Sequence, residues 1–329
     1  MLTAHSGGTA LERHDANGAL AWRTELPMRS PQVATTESGE IFLVFELGDD
    51  SLTVGDVTLT NAPGKAFIVE VGATSGSLGA VVELPPADGE LWSGFVADAS
   101  GFHVFRASGE VSHVYRYAVD GSEVWRKDHE LSTYAATQHP DGGVVLAGGD
   151  GDAIVVRLLD EDRDETWSLP VTGPVAHFAH ETIAVSPTGR VALGVRISRS
   201  DPELELVHEA RLVAFDPTGA VELEASPPVA LEGLAFMSET ELAIWRTAGG
   251  EETPGWYLEG MALVGGATFQ WSLPARDDYF QLGRAGHLVA RGGYLFASGA
   301  FLAGLNLAPG VTVSSAGCTD HFVARFGTP

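Results

Sequence analysis

Short apolar runs alternate with turn residues along the whole chain, and no segment keeps the 3.6-residue period of an amphipathic helix. The pattern predicts strands throughout. Its cleanest copy lies at 134–171. Residues 134–139 read as a strand A, and Pro140-Asp141-Gly142 as a turn into strand B at 143–149. Gly149-Asp150-Gly151 turns into strand C at 152–159, and 160–164 turns into strand D at 166–171. Strands B and C are almost continuously apolar, as expected where both faces of a sheet are covered. Strand D is more polar, as suits an outer edge.

Two marks repeat this unit. One is a turn before a strand that often carries Trp: Asn17-Gly18 before Trp22, Asp120-Gly121 before Trp125, Asp162-Arg163 before Trp167. Weaker copies are Gly79, Thr218-Gly219 before Leu223, and Gly265-Gly266 before Trp271. The other is an A–B turn at Ser38-Gly39, Ser100-Gly101, Asp141-Gly142, Thr188-Gly189, Glu239-Thr240 and Arg291-Gly292. A period near fifty residues made of short strands predicts a β-propeller, all-β, with six four-stranded blades and seven as the alternative. One closed ring absorbs residues 1–329 as a single domain, because each unit buries its faces against its neighbours. The last unit has no strand D of its own. Residues 19–26, with Trp22, supply it from the N-terminus and close the ring, although 9–15 and 2–8 resemble surplus C and B strands.

Insertions fall at one kind of place. The B–C connections 48–65, 199–208, 248–255 and 302–320 are long, and 274–286 is the longest D–A connection. Both kinds lie on the same side of a propeller, so that side is expected to bind.

Composition narrows the partners. Of 329 residues, 44 are acidic and 19 basic, a formal charge of −25, which repels phosphate backbones and argues against nucleic acid. No run of about eighteen apolar residues offers a membrane span. Met1-Leu2-Thr3-Ala4-His5 does not open a signal peptide. A lone Cys318 allows no internal disulfide and has no identifiable activating neighbour.

The segment Gly317-Cys318-Thr319-Asp320-His321-Phe322-Val323-Ala324-Arg325-Phe326 resembles the G-x-x-D-x-F-V-A-x-L/F signature of bacterial β-propeller repeats of the SBBP type. Gly299-Ala300-Phe301 and 311–317 resemble the rest of that unit, and 59–71 a decayed copy with Lys65 in place of the Asp. The turn-plus-Trp marks also resemble quinoprotein-type repeats, without the larger ring and vicinal cysteines of the quinoprotein dehydrogenases. The resemblance implies a location in the bacterial cell envelope or outside the cell. The missing signal peptide leaves the cytoplasm open.

Candidate chemistry is sparse. Asp160-Glu161-Asp162-Arg163-Asp164-Glu165 has alternating carboxylates, but Glu165 stands where a calcium loop needs Gly, so it reads as a hairpin turn and Ca²⁺ is unsupported. Gly148-Gly149-Asp150-Gly151-Asp152 has no following helix to hold a phosphate. His177 and His180 have metal-like spacing, yet positions i and i+3 of a regular strand face opposite ways. They read as a hydrogen-bonded pair on a D–A connection rather than a metal site. Asp277, Asp278 and Tyr279, after Arg276, suit a cation, a sugar or acid–base chemistry. Trp22, Trp125, Trp167 and Trp271 recur in phase and read as strand D packing, whereas Trp92 and Trp256 fall out of phase beside loops and suit stacking on a carbohydrate.

The residues therefore predict a non-enzymatic binding or scaffold propeller without cofactor or metal, presenting a loop-rich acidic face to a protein or glycan. Two other readings stay open. One is a polysaccharide lyase or hydrolase with a central-channel site, and the other is a structural subunit of a larger assembly.

Overall fold

The computed structural model describes the chain except residues 1, 5–9, 16–18, 26–27, 37, 48–50, 61–64, 86–90, 99, 109–110, 151–152, 161–164, 171–176, 200–206, 227–230, 249–254, 264–267, 278–284, 292–293, 302–303, 309–310, 315–319 and 328–329. Among the described residues every regular element is a β-strand. The arrangement is that of β-propeller blades, repeated antiparallel meanders of which five have four strands among the described residues. Its strands fall into two compact units, Met1–Ala136 and Thr137–Pro329.

In the first unit, blade 1 is the meander Met28–Thr35, Ile41–Leu47, Ala66–Val71 and Leu78–Leu84. Blade 2 is Leu91–Asp98, Gly101–Ser108, Val111–Ala118 and Glu123–His129. The surplus N-terminal strands are real, and they correct the expected closure: Leu20–Glu25 pairs with Ala10–His14, which pairs with Leu2–Ala4, in a three-stranded sheet of their own in B, C and D order, so Leu20–Glu25 is not the strand D of the last sheet. The apolar B and C strands are explained by their neighbours. Along Ile41–Leu47 the odd residues Ile41, Leu43, Phe45 and Leu47 join Phe67, Val69 and Val71 against Leu11 and Trp22. The even residues Phe42 and Val44 join Ala66 and Ile68 against Phe95, Phe102, Val104 and Tyr115 of blade 2. One strand thus fills two interfaces, which is why alternation is absent from its sequence.

The second unit repeats the plan. Its blades are Ser132–Gln138 (which begins before the boundary), Val144–Asp150, Ala153–Leu159 and Glu165–Pro170; then His177–Val185, Val191–Arg199, Val207–Phe215 and Val221–Ala225; then Leu231–Ser238, Glu241–Ala248, Gly255–Ala262 and Thr268–Asp277. The last sheet is Ala285–Arg291, Tyr294–Phe301 and Asp320–Gly327. The D-x-F-V-A-x-F segment therefore lies in a strand C.

The two sequence marks hold neighbouring sheets together, and the bonds they make span one repeat. Trp22 Nε1 donates to the Ala73 carbonyl, 51 residues on, at 3.1 Å, and Thr24 Oγ1 donates to the Gly76 carbonyl, 52 residues on, at 2.7 Å. His139 Nε2 meets the Gly189 carbonyl, 50 residues on, at 3.2 Å, and Ser186 Oγ donates to Glu239 Oε2, 53 residues on, at 2.9 Å. The first mark of blade 1 is corrected. Its turn runs through Gly72–Ser77 with Gly76 at φ +69°, while Gly79 lies inside strand Leu78–Leu84. A Cβ on Gly76 would stand 2.6 Å from the Trp22 ring, so both the left-handed backbone and the Trp beneath it demand glycine. Gly219 rests on Trp167 in the same way.

The long B–C insertions are not bare loops where they are described. In 48–65 a hairpin of Leu52–Val54 and Val57–Leu59 tucks Val54 and Leu59 into the cluster around Trp22. In 302–320 a hairpin of Gly304–Ala308 and Val311–Ser314 adds to the outer edge of Thr268–Asp277, making that sheet six-stranded.

Candidate functional site

In an antiparallel meander, strands A and C start, and strands B and D end, on the side of the B–C and D–A connections. Four of the expected residues lie at that end of their strands. Trp92 is the second residue of Leu91–Asp98, His177 the first of His177–Val185, Trp256 the second of Gly255–Ala262, and Asp277 the last of Thr268–Asp277. Trp92 and Trp256 are thus strand residues beside connections, as expected. Trp92 pairs with Arg106, next to a register shift before Gly94. Asp278 and Tyr279 lie outside the described residues, as do Cys318 and positions 161–164 of the acidic run. Gly148, Gly149 and Asp150 end a strand B, as a tight B–C turn requires.

The expected D–A connection at 274–286 is shorter than its sequence suggests. Arg276 and Asp277 prolong strand D because the hairpin from the next blade pairs with them, Arg276 with Asn306 and Asp277 with Leu305. This extension brings two candidates together. Trp256 pairs with Thr247 on one side and Ala275 on the other. Asp277, two residues past Ala275, shares its side of the sheet. Leu258, two residues from Trp256 on that side, is buried with Trp245, Leu288 and Ala297. By register Trp256 and Asp277 therefore fall on the face of the sheet that Leu258 shares, near its B–C and D–A end.

His177 and His180 lie in a strand whose register shifts between Phe178 and Glu181. His177 pairs with Ser198 and Phe178 with Ile197, but the next pair is Glu181 with Val195. Ala179 and His180 both oppose Arg196, a β-bulge. Both histidines lie in a strand rather than in a connection.

Charged residues at the sixth position of strand B went unremarked in the sequence. Glu46, Arg106, Arg196 and Arg246 occupy it in four blades, each a charge inside an apolar run. Arg246 forms a two-pronged bond with Glu259, Nε to Oε2 at 2.6 Å and Nη2 to Oε1 at 2.8 Å, and its guanidinium sits 4.3 Å from the Tyr257 ring centre. Glu259 is 3% exposed. Arg106, 2% exposed, donates to the Pro85 carbonyl at 2.9 Å and lies over Tyr115. These fixed pairs stiffen the strand ends that carry the candidates.

A separate polar cluster fixes the opposite end of blade 2. Asp98 accepts from Arg116 Nη2 at 2.7 Å, from Ser100 Oγ at 2.8 Å and from the Ser100 and Gly101 amides. Burial pushes the Asp98 carboxyl up, but the hydrogen bonds from Arg116 and Ser100 outweigh it and hold it below the ordinary carboxylate range. A lowered folded value means stability that is present above the unfolded value and lost as pH falls through the folded one. Acid titration of stability below about pH 4 is therefore expected to be shallower in Asp98→Asn than in wild type. Equal slopes in urea melts would contradict this role.

The fold and these strand-end residues define a β-propeller protein whose candidates gather on the B–C and D–A side. The chain resembles the WD40 domain of Neurospora crassa Pan2 (TM-score 0.51, 11% identity, covering 92% of this chain and 89% of that one). It also resembles virginiamycin B lyase from Staphylococcus aureus (TM-score 0.50, 12% identity, covering 90% and 86%). A Bacteroides caccae protein described as of unknown function aligns at a TM-score of 0.49 and 13% identity, over 88% of this chain and 97% of that one. At such identities the likeness is one of fold. No protein-family model and no curated protein matches the sequence. No helix among the described residues is long and apolar enough to cross a membrane.

Proposed function

We propose that this protein is a non-enzymatic binding propeller that engages a protein or glycan through the B–C and D–A side. One observation carries the reading: the inserted hairpin lengthens strand Thr268–Asp277 and so sets Asp277 on the same side as Trp256 at the rim of blade 5. An indole face and a carboxylate form a common pair for holding either a sugar or a basic side chain. The ordered hairpins support a rigid platform in place of mobile loops, which lowers the entropic cost of binding. Asp278 and Tyr279 continue the chain from Asp277, and Trp92, His177 and His180 belong to the same side of their own blades. The position of the last blade's signature in a strand C supports descent from SBBP-type repeats, and with it a role in the bacterial envelope or outside the cell.

The test is a binding screen of the full chain against neutral oligosaccharides and short Lys/Arg peptides. Trp256→Ala and Asp277→Asn are each expected to weaken the captured ligand about tenfold, or ~1.4 kcal/mol. Binding to a basic peptide falls steeply between about 20 and about 300 mM salt, and binding to a neutral sugar does not. A ligand held equally well by the double variant would defeat the assignment.

A further inference from the structure

The A–B turns of blades 3, 4 and 5 are bonded one to the next, and the bond between blades 3 and 4 depends on a proton. His139 opens the A–B turn of blade 3, its amide donating to the Gly143 carbonyl and its own carbonyl accepting from the Gly142 amide. It is 5% exposed. Its Nδ1 lies 2.5 Å from Asp141 Oδ1, and its Nε2 lies 3.2 Å from the carbonyl oxygen of Gly189, in the A–B turn of blade 4. A Cβ on Gly189 would stand 2.6 Å from that Nε2, so ring and turn are in direct contact. The same turn holds blade 5 on its other side, where Ser186 Oγ donates to Glu239 Oε2 at 2.9 Å and Thr188 Oγ1 donates to the same oxygen.

A neutral imidazole has one N–H donor and one lone pair. Here both ring nitrogens face oxygens that only accept. The Gly189 carbonyl has no proton to give. Burial pushes the Asp141 carboxyl up, but hydrogen bonds from the Gly143 amide and from His139 outweigh it and hold it below the ordinary carboxylate range, so it is an anion near neutral pH. Only an imidazolium makes both bonds. We propose that His139 is a proton-operated latch, which when charged ties the A–B turn of blade 3 to that of blade 4 and when neutral keeps Asp141 and releases Gly189. The neutral ring keeps Asp141 because a charged acceptor makes the stronger bond. Its Nε2 lone pair then faces the Gly189 carbonyl in a buried setting, which is unfavourable. Among the described residues Asp141 is the charged group that bonds the ring. Arg190, next to Gly189, donates to Glu222 at 2.6 Å and has its Nε 3.8 Å from Glu239. Asp160 and Asp216 follow the strand C residues Leu159 and Phe215, which pair with Val144 and Val191 at this same end of blades 3 and 4. Asp216 is held there by Thr218 and the Ala220 amide. The second bond needs the proton, so the link is whole on the acid side and is lost as pH rises through the imidazole range.

The latch lies on the A–B side, away from the proposed binding side, and is read without any ligand. The full chain, with its histidines isotope-labelled at the ring nitrogens, is titrated by NMR, and the signal absent from His139→Gln is that of His139. Both ring nitrogens are expected to carry protons at about pH 6, with Nε2 losing its proton by about pH 9. Amide exchange, corrected for its intrinsic pH dependence, is expected to show at least about fivefold less protection of Ser186 and Gly189 at the higher pH, the loss of one net hydrogen bond. His139→Gln is expected to show the lower protection at both pH values. Asp141→Asn is expected to move the loss to lower pH, because it removes the anion that favours the charged ring. A neutral His139 ring at about pH 6 in the wild-type protein would overturn the proposal without reference to any variant. So would wild-type protection of Ser186 and Gly189 that stays constant across the titration.

Discussion

Replacing Arg246 with Met is expected to lower the unfolding free energy by about 3–5 kcal/mol. The side chain is nearly buried, and its removal leaves the Glu259 carboxylate, 4% exposed, without the two-pronged bond it makes now. Losing that two-pronged, charge-assisted bond in a buried setting costs far more than the stacking lost over Tyr257. The double variant Arg246→Met/Glu259→Met is expected to recover most of the loss, since two apolar side chains of similar length replace the pair. Urea denaturation of both single variants and the double variant closes the cycle. Additive single effects would mean that the two groups do not act as a pair.

Gly101→Ala is expected to cost at least about 3 kcal/mol. Gly101 opens strand B of blade 2 at φ +149°, and a Cβ there would stand 2.0 Å from the Tyr117 carbonyl oxygen and 3.0 Å from the Ala118 Cα. Both neighbours are backbone of the paired strand and cannot yield without breaking the ladder between Gly101 and Ala118. Gly39 is the internal comparison. It occupies the equivalent A–B turn at φ +89° with nothing within 4 Å, so Gly39→Ala pays only for the left-handed backbone, about 1–2 kcal/mol. Equal losses at the two glycines would show that backbone conformation, not the approach of Tyr117, governs the A–B turn.

The contrast between these glycines shows what the chain spells out and what it withholds. Turn marks and apolar runs are local signals, and they locate the strands well: the expected 152–159 is observed as Ala153–Leu159, and 134–139 as Ser132–Gln138. Trp22 and Leu223 pack on strand D as their phase implied. The errors came from pairing, which is not local. Arg276 and Asp277 were assigned to a connection because nothing near them announces that a hairpin 30 residues later will pair with them. His177 and His180 read as a pair on a connection, whereas they lie in a strand whose register shift depends on the partner strand as much as on its own sequence. Gly79 was taken for the turn glycine, although it is the Trp22 ring under Gly76 that fixes the turn. Arg246 and Glu259 left a readable trace, since a charge within an apolar strand B predicts a buried partner.

The direct measurement is hydrogen–deuterium exchange of the whole chain with and without the ligand captured in the binding screen. Slowed exchange at residues 246–257 and 268–277, with the A–B turns at 36–40, 139–143 and 186–190 unchanged, is the expected result. Slowing confined to those A–B turns would put the binding side on the opposite ends of the blades and contradict the account.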